Sequence, residues 1–217
     1  MIVEKIQQNY PVNELWKSLC PLWDKFPSVQ RSPAVGGWAL QSTNHSYTDG
    51  WGMEFCPYNG PLNIGPTWTP ESEKEKKARP IQDYILPTEI TSTLLEKLLT
   101  QLTEMGLNPR RGRIIKLSPN SECNWHQDGS ERYYQARLHI PLITNHGCFF
   151  ETLTERVHMP ADGSFYFAHI NRVHRVVNYG NQDRYHFVCH IWDQKNFTRH
   201  HRYVPQENLG ETFHLDP

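Results

Sequence analysis

The runs RGRIIKLS (111–118), QARLHIPLI (135–143), GCFFETL (147–153), GSFYFAHI (163–170), HRVVNYG (174–180) and YHFVCHIW (185–192) follow one another along the second half of the chain. Each is short and rich in β-branched and aromatic residues, the types that suit a pleated, half-buried surface. Between them stand PNSEC (119–123), TNHG (144–147), PADG (160–163) and GNQD (180–183), all built from strong turn formers. No helical period intervenes. Closely spaced short strands of this kind predict a mainly β protein, an all-β sandwich or barrel of jelly-roll-like pattern.

Working outward, the clearest helix lies just upstream. Ile90, Leu94, Leu95, Leu98, Leu99, Leu102 and Met105 recur at helical spacing, with Thr88 as the expected N-cap and Gly106 as the stop. PVNELWKSLCPLWDK (11–25) reads as a short helix broken near Pro21, and AVGGWALQ (34–41) as a strand. A few flanking helices on a β core are therefore expected. ESEKEKKARP (71–80) reads as a solvated loop. At 217 residues the chain is expected to be one domain. Within it, 1–110 supplies helices and outer strands, 111–193 the catalytic jelly-roll core, and 194–217 a tail that could serve as a lid.

Composition narrows the function. Twenty-two lysines and arginines face 23 acidic residues, a net charge of −1 that argues against a nucleic-acid or membrane-surface binder. No apolar region follows a basic start and no run of 18 apolar residues occurs, which predicts neither a secretory signal nor a membrane span. The cysteines, at 20, 56, 123, 148 and 189, are odd in number and never form C-x-x-C. Free thiols in a reducing cytoplasm are expected rather than a zinc site or disulfides. Twelve histidines, eight of them between 126 and 190, raise the question of a metal.

Their placement sharpens it. Trp125-His126-Gln127-Asp128 sets an imidazole and a carboxylate two residues apart, on one face of an extended chain. His174 opens the strand HRVV 46 residues beyond Asp128, and Arg184 follows ten residues later. Two histidines and one carboxylate make the facial triad of non-haem Fe(II) oxygenases, which leaves positions open for an α-keto acid and dioxygen. A buried arginine suits the far carboxylate of such an acid, because its fork is permanently charged and bidentate. His169 is a competing second histidine, which the step to Arg184 disfavours. Strand parity adds that Arg137 and His139 share one face of QARLHIPLI, and that Arg184, His186, Val188 and His190 share one face of the last strand. Polar residues gathered on one side of apolar strands imply a ligand cavity.

The segments LSPNSECNWHQD (117–128), RLHIPLIT (137–144) and HRVVNYGNQDRYHFVCHIW (174–192) resemble the aspartyl/asparaginyl β-hydroxylase family of Fe(II)/2-oxoglutarate dioxygenases, with its bacterial proline and free amino-acid hydroxylase relatives. The resemblance implies a double-stranded β-helix, a cupin-like jelly roll, in which His126, Asp128 and His174 are catalytic as the ligands of Fe(II). It implies that Arg184 holds the far carboxylate of 2-oxoglutarate and that His139 also contacts this cosubstrate, with O2 as the oxidant. Arg113 and Arg137 match positions that reach toward substrate, and Trp38 in GGWALQ (36–41) matches a strand that walls the pocket. The chain keeps Asp128, which the protein-acting aspartyl hydroxylases lack and which halogenases vacate for halide. It departs from the family at His190, where an aspartate is frequent, and no role is assigned to it. His146, His158, His186, His200, His201 and His214 are expected at the surface or behind the site.

The implied activity is hydroxylation of an unactivated C–H bond coupled to decarboxylation of 2-oxoglutarate, with release of succinate and CO2. The basic Arg113 and Arg137 suggest a small carboxylate-bearing substrate such as a free amino acid. Three other readings stay open. They are hydroxylation of a peptide or protein residue in a groove formed by 33–68, a non-catalytic cupin-like metal-binding module, and a zinc hydrolase.

Overall fold

The computed structural model describes residues 2–6, 8–49, 83–126, 136–170 and 172–191. In chain order these form β1 (Val3–Ile6), α1 (Val12–Leu19), a 3-10 turn (Cys20–Leu22), β2 (Val29–Gln30), β3 (Val35–Ala39), β4 (Gln41–Ser42), β5 (Leu86–Pro87), α2 (Thr93–Glu104), β6 (Pro109–Leu117) and β7 (Ser121–His126). There follow β8 (Ala136–Ile143), β9 (Cys148–Thr152), β10 (Arg156–Val157), β11 (Phe165–His169), β12 (His174–Asn178) and β13 (Arg184–Ile191). The expected loop at 71–80, the tail at 194–217 and the histidines at 200, 201 and 214 lie outside the described residues.

The larger sheet runs β1-β11-β8-β13-β6-β3-β2 and the smaller one β10-β9-β12-β7, all antiparallel; β4 and β5 pair separately. From β6 to β9 the chain alternates between the two sheets. It stays in the smaller one for β10, then alternates again from β11 to β13. That winding is the expected double-stranded β-helix.

Alternation along the strands separates two interiors. Leu138, Ile140, Phe165, Phe167 and Phe187 face outward from the larger sheet, where Leu15 and Leu19 of α1 and Leu95, Leu98 and Leu102 of α2 cover them. This is the main core, and all ten side chains are buried. A smaller cluster between the sheets joins Phe150, Met159, Tyr166, Ala168 and Ile170 to Ile2 and Val3. No helix among the described residues is long and apolar enough to cross a membrane.

α2 shows how local chemistry sets boundaries. Its N-cap is Ser92, whose hydroxyl accepts from the Leu95 N–H at 3.2 Å, not Thr88 as expected. Thr88 instead donates to the Ala39 carbonyl at 2.9 Å and accepts from the Ile90 N–H, so its hydroxyl ties the approach to α2 onto the sheet. Ile90 consequently precedes the helix, although it packs in the same core. Gly106, at φ 79°, ends the helix as expected. Its N–H meets the Thr103 carbonyl and the Leu107 N–H meets that of Leu102, the paired bonds of a Schellman cap. Replacing the true cap, Ser92→Ala, is expected to destabilise the protein by about 1 kcal/mol. Urea unfolding measures this, and an unchanged midpoint contradicts the assignment.

Candidate active site

A cavity of about 580 Å³ lies between the sheets. The smaller sheet contributes Cys123, His126, Phe150, His174 and Val176 to its wall, and the larger sheet Val35, Ile115, Leu117, Arg137, His139, Arg184 and Val188. Arg31 and Ile170 complete it. Its lining is mostly apolar with a few convergent polar groups, the make-up of a small-molecule site.

β7 and β12 are neighbours in the smaller sheet, and their register sets His126 directly opposite His174. Cys123 and His126 are three residues apart, so regular alternation would put them on opposite faces. Both nevertheless line the cavity, because β7 carries one extra residue against β12 between Cys123 and His126. This bulge turns His126 inward. The two imidazole centroids stand 4.3 Å apart, and Phe150 stacks on His174 at 4.8 Å and 17°. His126 Nδ1 donates to the Asn124 carbonyl at 2.6 Å, and His174 Nδ1 donates to that of Arg172 at 2.7 Å. A carbonyl only accepts, so in each neutral ring the basic lone pair is on Nε2. Two neighbouring histidines with the tautomer fixed from behind fit a divalent-metal site. Asp128 lies outside the described residues, and among those described no three ligand-type side chains converge.

Behind this pair, Arg175 fastens the outer face. It donates to Glu151 of β9 at 2.8 Å and to Glu122 of β7 at 2.7 Å, and lies 4.8 Å over the Trp125 ring. Its two ion pairs tie together the three strands that hold the histidines in register.

The larger sheet faces them with cations and neutral imidazoles. Arg184, 4 % exposed, lines the cavity and donates from Nη2 to His186 Nδ1 at 2.8 Å. No carboxylate among the described residues pairs with it. Burial brings its pKa down to about 10, which still leaves it charged at neutral pH. Arg113, Val188 and His139 lie side by side across β6, β13 and β8. Burial, followed by the charges of Arg184, Arg137, His174 and Arg113, holds His139 well below the usual histidine range. His186 is lowered likewise, by burial first and then by Arg184.

Seven of the eight residues singled out in the sequence are thus described; Arg113 is buried beside Val188 without lining the cavity, and His126, His174, Arg184, His139 and Arg137 line it. Trp38 does not. It faces the opposite side of the larger sheet, stacked on Trp23 at 4.0 Å, with its indole N–H donating to the Phe26 carbonyl. Its position follows from alternation on β3, since Val35 lines the cavity and Trp38 is an odd number of residues away. His169 stands apart from the histidine pair, on β11, with its Nε2 3.4 Å from Glu4. His158 donates to the Cys148 carbonyl, behind the site as expected.

Two residues near the site, His186 and Arg110, are not among the candidates singled out in the sequence. His186, expected only at the surface or behind the site, is buried against Arg184; strand parity already carried that signal. Arg110 lies opposite His190, which lies opposite Arg137, so the three form one row at the edge of the site. Alternation from Arg113 would turn Arg110 away. An extra residue on β6 at Arg111, whose φ is 56°, restores it to the inner face. Gly112 inside a strand was the only hint of that bulge.

Among known families, the model described as Aspartyl/Asparaginyl beta-hydroxylase matches residues 85–194, just over half of the chain. No curated protein matches. Among solved structures, an oxidoreductase of the 2OG-Fe(II) oxygenase family from Burkholderia pseudomallei is 13 % identical, with a TM-score of 0.47 over 90 % of this chain and 85 % of that one. A prolyl hydroxylase from Trichoplax adhaerens, in complex with a hypoxia inducible factor peptide fragment, is 12 % identical, with a TM-score of 0.48 over 92 % and 87 %.

Histidines held neutral by the fold make stability depend on pH. The unfolded chain protonates His139 and His186 near the usual 6.5, whereas the folded chain resists. Stability is therefore full above that value and lost as pH falls below it, by about 1.4 kcal/mol per pH unit for each proton taken up on unfolding. Urea unfolding of the metal-free protein between pH 7 and 5 measures the slope. A double His139→Gln, His186→Gln variant is expected to flatten it, and an unchanged slope would refute the neutral assignment.

Proposed function

The chain belongs to the aspartyl/asparaginyl β-hydroxylase family, and from that premise we propose that it is an Fe(II)/2-oxoglutarate-dependent hydroxylase of a small carboxylate-bearing substrate such as a free amino acid. The carrying observation is the cavity itself, with a tautomer-fixed histidine pair on one wall and, on the other, a buried guanidinium that no carboxylate among the described residues pairs with. His126, His174 and Asp128 would hold the metal, and the family relationship motivates the third member. Fe(II) so bound supplies oxidising power from O2 and 2-oxoglutarate, so that one oxygen atom enters a C–H bond as hydroxyl, the other enters succinate, and CO2 leaves.

The remaining steps belong to the protein. Arg184 receives the far carboxylate of 2-oxoglutarate through paired N–H donors, a charge-assisted contact in a site that excludes water. His139, neutral and with neither ring nitrogen hydrogen-bonded among the described residues, offers a donor to the same molecule. Arg113 and Arg137 draw the carboxylate of the second substrate to the edge of the cavity. Ile115, Leu117, Val176 and Val188 form its apolar wall, which keeps the reacting C–H bond dry. The reading treats the chain as one domain with its catalytic core at 111–193 and 194–217 as a candidate lid. It also places the protein in the cytoplasm, where Cys20, Cys123, Cys148 and Cys189 stay reduced.

Anaerobic addition of Fe(II) and 2-oxoglutarate is expected to produce a visible charge-transfer band, absent from His126→Ala and His174→Ala. Arg184→Ala should weaken 2-oxoglutarate binding by roughly tenfold to a hundredfold. Succinate release is then measured over free amino acids and over peptides bearing Asp, Asn or Pro. Turnover confined to peptides would replace the substrate assignment. A missing band in wild type would overturn the oxygenase mechanism in favour of a metal-binding module or a zinc enzyme.

A further inference from the structure

We propose that His186 is the positioning residue for the Arg184 guanidinium, and through it a determinant of which α-keto acid the site accepts. This rests on the reading of Arg184 as the cosubstrate anchor. Both side chains are buried, on the inner face of β13, and Arg184 Nη2 lies 2.8 Å from His186 Nδ1. A guanidinium has no acceptor, so the arginine donates and the imidazole accepts. The hydrogen of His186 must then sit on Nε2. That N–H is buried, and it has no hydrogen-bond partner among the described residues.

Such an arrangement makes little sense as packing alone. An aliphatic residue between Ile115 of β6 and Pro141 of β8, the neighbours of His186 across the sheet, would avoid an orphaned donor. What the imidazole adds is a neutral acceptor. A carboxylate there would neutralise Arg184 and compete with the ligand for its N–H groups, and a second cation would repel it. A neutral ring occupies one N–H, fixes the plane of the guanidinium and leaves its full charge for the cavity. The His139 ring stands edge-on to that of His186, with centroids 5.8 Å apart. The aim of Arg184 thus depends on His186, and only ligands bearing a distal carboxylate should sense its loss.

The test uses the full-length protein loaded with Fe(II) under anaerobic conditions. Binding is titrated for 2-oxoglutarate and for pyruvate, which has the α-keto acid end but no distal carboxylate. His186→Leu, and His186→Phe as a ring of similar shape without an acceptor, should each weaken 2-oxoglutarate binding by roughly tenfold to a hundredfold. Pyruvate binding should stay at the wild-type level. His186→Gln, whose side-chain oxygen can accept the same N–H, should recover most of the loss, and it keeps the question answerable if the apolar variants do not fold. In an Arg184→Ala background, removing the imidazole should cost nothing further. Equal losses for both ligands, no recovery with glutamine, or an undiminished effect in the Arg184→Ala background would each overturn the proposal. If Arg184→Ala itself leaves 2-oxoglutarate affinity unchanged, the anchor reading falls too; if it weakens binding and the His186 variants do not, only the role of His186 fails.

Discussion

The pairing of His126 with His174 across β7 and β12 is the constraint around which the site is arranged. Antiparallel neighbours directly opposite one another bring their side chains together on one face, so two imidazoles 48 residues apart in sequence stand at a centroid separation of 4.3 Å. The contact survives only if register is kept, since a slip of one residue would send one ring to the outer face. Three features hold it: the β7 bulge, the backbone carbonyls that take each Nδ1 hydrogen, and the Arg175 ion pairs on the outer face. Each acts on a different degree of freedom, namely which face the ring points to, how it is rotated, and how the strands are aligned.

β13 joins this constraint to the rest of the fold. It lies between β8 and β6 at the centre of the larger sheet. Phe187 and Cys189 point into the helix-covered core, while Arg184 and Val188 point into the cavity. Rigidity on the polar side is therefore borrowed from close packing on the apolar side. Burial pushes the Cys189 thiol up and keeps it protonated, as suits a small core residue rather than a reactive one.

Most of this was legible because it depends on alternation. The β strands and the polar faces of β8 and β13 follow from period-2 reading plus turn chemistry, and the ten-residue step from His174 to Arg184 from the family's motif spacing. What escaped was local departure from that period. The bulge at Arg111 returns Arg110 to the inner face, and no residue count predicts where an extra residue is absorbed. Likeness to a family strand puts Trp38 at the pocket wall, whereas its odd spacing from cavity-lining Val35 turns it into the helix-covered core. Thr88 and Ser92 are both acceptable caps; the choice was made by tertiary contact with the Ala39 carbonyl, which sequence spacing does not encode.

Arg175 and Arg184 show how one residue type serves stability and function within a single sheet system. Arg175 sits on the outer face of the smaller sheet, where two carboxylates balance its charge and a tryptophan covers it. Arg184 is more deeply buried, yet among the described residues its side chain bonds only to a neutral imidazole. An uncompensated buried charge is costly, and a chain under pressure for stability alone would pair it or replace it. Arg175 is paired in this way, whereas no carboxylate among the described residues pairs with Arg184. On the proposed reading that charge is kept for an anion that comes and goes. The neutral histidines around it follow from the same need, because they supply polarity and hydrogen-bonding capacity without cancelling the field that an incoming carboxylate must find.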